Sequence, residues 1–395
     1  MQRRYDVVIV GGAVIGSAAA YFLSENRNFT GSILVVEPDS TYENAQTTRA
    51  QNSIREQFSQ PVNIQISQFG MDFLDNFHEN TQVNGEAPLI NFRGTGYLFL
   101  SEDPAHLAVL ERDSTLQRTH GAEVRMLAPR SISEEFSFLD TSSLVGARMG
   151  SSREGSFDGW SLLQGFRSRA EHNGVTYLTD RVVRLVRGDG GRITSVGLES
   201  GRSVSCGHVV NAAGPRAKLI AAMVGLDLPV EPRARTSFVF DCPTEIPGNV
   251  PLIITPEGVH FRREQHHYIT GAVPVDDTAV DYDDLTTRRD EFEDLIWPVL
   301  AKYVPQFDQV KVITSWGGQY AYNVLDHNLI IGACSLVPNL IFANGFSGHG
   351  LQQAPAVGRG ISELITYGEF RTIDMTALGY ERIQKNEAFV ENVVI

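Results

Sequence analysis

Cysteine is scarce in this chain. Three residues, Cys206, Cys242 and Cys334, are scattered through 395 positions. That is too few, too far apart, for a disulfide framework or a Cys-x-x-Cys metal site, so they read as core thiols in a reducing compartment. Positive charge is thin as well: 33 Lys and Arg stand against 47 Asp and Glu, a formal net charge of -14. Binding a polyanion draws on clustered Lys and Arg, which removes nucleic acid from the expected partners. No apolar run approaches the ~20 residues that a membrane-spanning helix needs, so no integral membrane segment is expected. With a first strand starting almost at Met1, the chain is expected to carry no leader and to be cytoplasmic. Internal repeats and low-complexity stretches are absent. What is left, with 42% hydrophobic residues, is a globular chain able to fill about two or three cores.

Against that background the run YDVVIVGGAVIGSAAAYFLSE from Tyr5, followed by ILVVEPD from Ile33, is a complete dinucleotide-binding βαβ pattern. Val7 to Val10 suit a strand buried on both faces, and Gly11, Gly12, Ala13, Val14, Ile15 and Gly16 form the turn into a helix. Val14, Ile15, Ala18, Ala19, Phe22 and Leu23 recur at helical spacing. The next strand ends in Glu37 and Pro38. An acid there, roughly 20 residues past the glycines, accepts hydrogen bonds from a ribose diol while the helix N-terminus faces a pyrophosphate. Ala13 replaces the usual second glycine, a methyl that a small outward shift of the phosphate absorbs.

Further helices are expected at 60–78, 105–119, 161–172 and 285–303, with a strand at 95–100. The segments from Val175 to Gly214 read as a hairpin meander returning to a buried strand at 208–211. The proline-rich β segments of 229–275 look like a separate antiparallel layer. The acid run Asp276, Asp277, Asp281, Asp283 and Asp284 lacks the ligand alternation and central glycine of a calcium loop, so it is read as a solvated loop, and no metal is expected. A second strand, 340–343, runs into Gly345, Phe346, Ser347, Gly348, His349 and Gly350 and then a helix over 351–367. Two glycine-rich helix starts suit a cofactor with two places that want positive potential, its pyrophosphate and a redox ring that gains negative charge. Flavin adenine dinucleotide meets that description.

VVIVGGAVIG, Glu37-Pro38, NSIREQFS from Asn52, GTGYLFL from Gly94, EGSFD from Glu154, VVNAAG from Val209, SWGGQY from Ser315, DHNLIIG from Asp326 and GFSGHG from Gly345 occur in that order. In this the chain resembles the D-amino-acid oxidase superfamily of FAD-dependent oxidoreductases, which includes sarcosine and glycine oxidases, and within it the branch with a GFSGHGLQQAP-type motif. The resemblance implies an α/β, two-domain fold. A Rossmann-like FAD domain would be assembled from residues 1–90, 150–218 and 325–395, with an inserted, mostly antiparallel substrate domain from 91–149 and 219–324. It implies that the Rossmann turn and Glu37 hold the adenosine diphosphate, and that the stretch with Thr48, Gln51, Asn52 and Ser53 passes the pyrophosphate and flavin. Val183 would lie near adenine and Ala213 and Gly214 along the cofactor. Gly318 and the segment Gly345 to Leu351 would line the flavin ring.

Sarcosine-oxidase-like relatives tether the flavin through a cysteine where this chain has Gly318, so the resemblance implies non-covalent FAD. Their substrate-binding lysine corresponds to Gln352, and the arginine of D-amino-acid-oxidising relatives to Gln319. Other cations are therefore needed to hold a substrate carboxylate, and Arg55 and Arg262 are the candidates. Arg263, out of phase on the same strand, should face away, while His260 shares the face of Arg262. Tyr97, Tyr320 and Tyr322 are candidates for an aromatic wall. The lysine of fast oxygen-reacting relatives aligns with Ile269, which leaves O2 and another electron acceptor equally open. The expected activity is oxidation of the C–N bond of a small amine or amino acid, N-substituted or D, to an imine that hydrolyses. A 2-hydroxy-acid oxidoreductase using His260 as base, and a flavin-bearing assembly or binding protein, are the alternatives.

Overall fold

Strand Arg4–Val10 is apolar on both faces because it lies inside a covered sheet. The computed structural model, which describes residues 2–393, places it in an eight-stranded sheet. The order runs Ile330–Cys334, Val337–Asn344, Ser203–Asn211, Arg4–Val10, Ile33–Glu37 and Thr176–Thr179. All neighbours from Val337–Asn344 onward are parallel, and the edge strand Ile330–Cys334 is antiparallel. Val182–Arg187 and Ile193–Leu198 attach as an antiparallel meander to Ser203–Asn211. Arg4–Val10 and Val337–Asn344 flank that strand and run the same way. The helices that follow them, Val14–Glu25 and Gly350–Tyr367, therefore both start at one edge of the sheet.

These two helices pack directly on one another. Ala18, Ala19 and Ala20 are all fully buried, and at the contact a Cβ on Gly358 would lie 2.7 Å from the Ala18 backbone. Helix Gly159–His172, N-capped by Asp158 accepting from Ser161 N–H, covers the other flank of Val14–Glu25. A second eight-stranded sheet is mostly antiparallel, ordered Lys311–Asn323, Val230–Asp241, His267–Gly271, His260–Glu264, Leu252–Ile254, Tyr97–Ser101, Gly146–Met149 and Arg125–Leu127. Its core is a ring cluster of Phe240, Phe261, Tyr268 and Phe307. The fold is thus the mixed α/β arrangement expected, a mainly parallel sheet and a mostly antiparallel one.

Two predicted helices differ. The helix expected over 60–78 ends at Asp75 and restarts as Phe77–Thr81, because Asn76 leaves helical geometry. The helix expected from Leu285 begins only at Asp290 and opens into a π-turn over Phe292–Ile296 before Trp297–Tyr303. Pro298 has no N–H to continue the ladder, and Trp297 N–H reaches back to Phe292 instead. Cys242 and Cys334 are buried and Cys206 half-buried. Among the described residues no helix is long and apolar enough to cross a membrane.

Candidate cofactor and substrate site

Where the two helices begin, their N-termini open on one cavity of about 910 Å³ that reaches into the second sheet. Neither helix is capped by the side chain of its own N-cap residue, and although Thr47 Oγ1 takes Val14 N–H, each presents its other first-turn N–H groups, and the positive end of its dipole, to whatever enters. Of the first glycine-rich turn, Gly11, Ala13, Val14 and Ile15 line the cavity, as do Glu37, Pro38, Val183, Ala213 and Gly214. Gly11 has φ +97°, and a Cβ there would sit 2.4 Å from the Ala212 carbonyl oxygen. Only glycine fits. Glu37 accepts from Gly12 N–H at 2.7 Å and from Asp39 N–H at 3.0 Å. Burial raises its pKa and the two N–H bonds oppose that. These are the donors, the acid and the close backbone approach that a dinucleotide requires, so the residues fit the adenosine diphosphate half of FAD.

At the other end Gln51, Asn52 and Ser53 line the wall, with Gly318, Phe346, Gly348, His349, Gly350, Leu351 and Gln352. Gly348 has φ +97°, and a Cβ would strike the Tyr320 ring at 2.6 Å. Gln352 turns its amide oxygen to Arg55 N–H at 2.9 Å and the Ser67 hydroxyl at 3.1 Å, so it fixes the NSIREQF segment rather than reaching outward. Arg55 is buried and lines the cavity. It donates from Nε to the Gln57 carbonyl at 3.3 Å, and from Nη2 to His349 Nε2 at 2.9 Å and the Val393 carbonyl at 2.5 Å. Its guanidinium lies 4.6 Å from the Phe58 ring centre. Because arginine is only a donor, His349 Nε2 is the acceptor and the imidazole is neutral. Burial first, then Arg55, holds its pKa well below the usual value.

Several expected residues stand behind this wall. Thr48 caps its own turn through the Tyr42 and Ala45 carbonyls. The neighbouring Thr47 lines the cavity instead and accepts from Val14 N–H. Gly12 faces Glu37, and Gly16 packs on the Gly11 carbonyl. Gly345 packs against Asn323 and Val230, while Ser347 bonds Asn323 N–H. They shape the two turns and do not reach the cavity. Arg262 shares the strand face of His260, as alternation requires, yet its guanidinium is captured by Glu264 and by the Gln51 carbonyl at 2.7 Å and does not line the cavity. Arg263 points the other way, to the Ile246 carbonyl. His260 does line the wall, with Nε2 3.0 Å from Gln51 Oε1. Burial first, then Arg235 and Arg262, push its pKa down to about 4. Tyr97 and Tyr320 line the cavity, whereas Tyr322 and Ile269 do not.

Several cavity residues were not anticipated, Thr47, Arg49, Arg181 and Arg216 among them, and one more bears on the chemistry. Arg235, on strand Val230–Asp241, stacks over Tyr320 at 4.7 Å and pairs with Asp277. On this alternating strand Glu231, Arg233 and Arg235 share the half-buried face and Val230, Pro232, Ala234 and Thr236 the buried one, so sequence alternation alone does not set Arg235 apart from Arg233. The acid run is not a merely solvated loop: Asp277, Asp283 and Asp284 form ion pairs with Arg235, Arg216 and Arg288.

The family model for DAO, FAD dependent oxidoreductase, matches residues 6–364. FAD-dependent oxidoreductase domain-containing protein 1 of Xenopus laevis is 37% identical, over 100% of this chain and 85% of its own length. Sarcosine oxidase subunit beta of Rhizobium meliloti is 24% identical over 93% of this chain and 86% of its own. Among solved structures, L-proline dehydrogenase from P. horikoshii superposes with TM-score 0.87 at 24% identity, covering 98% of this chain and 100% of that one. Glycine oxidase from Geobacillus kaustophilus gives 0.80 at 20% identity, over 96% and 98%. With a nucleotide-type turn and a second glycine-rich helix start meeting on one cavity, and with a family match spanning most of its length, the chain belongs to the DAO family of FAD-dependent oxidoreductases.

Proposed function

We propose that the protein oxidises the C–N bond of a small amine or amino acid, N-substituted or D, to an imine that water hydrolyses. Arg55 carries this reading: a buried guanidinium on the cavity wall with no carboxylate partner among the described residues. An unpaired buried charge is costly, and the carboxylate of an amino acid removes that cost while matching the planar fork. Sarcosine, glycine and proline in the names of its relatives point to the same substrate class.

When bound, FAD supplies a hydride acceptor for a carbon next to an unprotonated nitrogen. The rest falls to the chain. Arg55 holds the substrate acid, and His349, by accepting its N–H, fixes the guanidinium plane as a positioning residue. The positive potential of Arg55 weakens the hold of the amine nitrogen on its proton. Tyr97 and Tyr320 wall the site and orient the reacting carbon. No side chain is assigned as base; with its pKa near 4, His260 is a feeble one, which counts against a hydroxy-acid substrate. O2 or another electron acceptor takes the electrons onward.

The test is anaerobic mixing of the FAD-loaded protein with N-methyl, N-carboxymethyl and D-amino acids while flavin absorbance is followed. Bleaching by members of one class is expected. Arg55→Gln should raise the half-saturating concentration of acids about a hundredfold, with a smaller effect on the limiting rate. A panel in which no amine or amino acid bleaches the flavin overturns the reading.

A further inference from the structure

Arg235 lies opposite Gly318 in the strand register, on the cavity wall. Both of its terminal nitrogens are held by one carboxylate, Nη1 to Asp277 Oδ1 at 2.6 Å and Nη2 to Oδ2 at 3.1 Å. This is the two-pronged geometry in which a guanidinium binds a free acid. The carboxylate comes from a loop. Residues 272–289 contain no helix or strand, only the bridge of Ala279 to Arg233, a longer irregular stretch than the dozen or so residues usual in a compact chain, and such stretches are commonly site lids.

The loop is tied down unevenly. Its far half is fixed by Gln319 Nε2, which donates at 2.8 Å to the carbonyls of Asp281 and Asp284, and by the Arg216–Asp283 and Arg288–Asp284 pairs. In the near half, 273–278, Asp277 supplies the only side-chain hydrogen bonds among the described residues, while Val275 is 93% exposed. Asp277 is thus the latch of that half, and its keeper is a cation on the cavity wall. Five arginines line the cavity, Arg49, Arg55, Arg181, Arg216 and Arg235; two of them concern the region around Tyr320, Arg55 without an acid among the described residues and Arg235 with one lent by the loop. The Tyr320 hydroxyl lies within the field of both. A substrate with one carboxylate leaves Arg235 unused.

We propose that Arg235 recognises a second acidic group on the substrate and that Asp277 stands in for that group until the substrate arrives. The substrate is then an amino acid carrying two carboxylates, such as one with an acidic N-substituent. Exchanging one carboxylate for another keeps the buried guanidinium paired throughout and releases the near half of the loop. The assignment deepens the proposed amine oxidation and rests on it for the substrate.

The experiment uses the FAD-loaded protein and two readouts. Glutarate and acetate, which do not react, are titrated against the flavin spectrum, and an N-carboxymethyl amino acid is compared with its N-methyl counterpart in anaerobic reduction. Arg235→Gln should weaken glutarate and the N-carboxymethyl substrate about tenfold or more while leaving acetate and the N-methyl substrate within about twofold. Asp277→Asn, which empties the fork of charge while keeping the side-chain shape, should tighten glutarate. Equal losses for one-acid and two-acid ligands in Arg235→Gln, or unchanged glutarate affinity in Asp277→Asn, would overturn the assignment. If Arg235→Gln fails to bind FAD, the Asp277→Asn titration decides alone. If no amine reduces the wild-type flavin, the oxidation reading fails, while the glutarate titration still reports on the subsite.

Discussion

Glu154 shows how a single buried group underlies the segment that carries Arg55. Its carboxylate accepts from Glu56 N–H at 2.8 Å and Gln57 Nε2 at 2.7 Å, and Gln57 in turn accepts from the buried Arg148 at 2.6 Å. Burial raises its pKa from 4.5 to about 7 in spite of those donors. Between these values the folded chain keeps a proton that the unfolded chain has lost, so stability falls as pH rises through the window and is level above it. The whole drop is about 3 kcal/mol. Glu154→Gln abolishes this slope: urea midpoints from pH 4.5 to 7.5 should show the wild type losing ground to the variant by that amount, and parallel curves would refute it. Residue roles of this kind were the least legible in the sequence. Strand alternation correctly put His260 and Arg262 on one face, but it carried no sign that Glu264 would take the Arg262 charge. The Thr47 and Thr48 choice depended on the phase of a four-residue helix. Arg235 and Asp277 are 42 positions apart, and Arg55 and Val393 are 338 apart, so no local pattern announces either contact.

Elements were read better because their signals are local. An apolar run, a glycine turn and a patterned helix define a strand-to-helix unit without help from the rest of the chain, and both such units formed where expected. Departures came where one residue overrode the pattern, at Asn76 and Pro298. What local reading did not supply is the close seating of Val14–Glu25 on Gly350–Tyr367, which fixes the angle at which both N-termini meet the cavity. Gly358 makes it possible. In Gly358→Ala the new methyl meets the Ala18 backbone at 2.7 Å, and the overpacking costs about 1–3 kcal/mol, partly offset by the better helix propensity of alanine. A net loss in thermal stability and weaker FAD retention are expected. Gly360→Ala in the same helix meets no backbone, only the ring of the half-buried Phe370 at 3.0 Å and Ile331 at an ordinary 3.5 Å, and should be neutral or stabilising. Equal behaviour of the two variants would show that helix spacing is not what the site depends on.

At the scale of the whole molecule, the cavity is bounded by residues of both sheets: Gly11, Glu37 and Ala213 from the edge of the parallel one, and Arg235, His260, Gly318 and Tyr320 from the antiparallel one. A ligand that spans it binds only when both are folded and apposed, so its binding free energy becomes stability of the assembled chain. With free FAD at a hundred times its dissociation constant that linkage is worth about 2.7 kcal/mol. Thermal unfolding followed by far-UV circular dichroism should therefore move up by several degrees on adding FAD. Gly11→Ala is the discriminating variant. The methyl is both strained at φ +97° and only 2.4 Å from the Ala212 carbonyl oxygen, so the turn must shift away from the one geometry that lets the backbone approach a pyrophosphate. Its ligand-free protein should melt somewhat lower than the wild type, by the cost of about 1–3 kcal/mol of backbone strain, and should show no further rise with FAD. A variant that melted lower yet kept the full FAD increment would place the phosphate grip elsewhere, and one that lost neither would mean that the N-terminal glycine turn is not where the nucleotide is held.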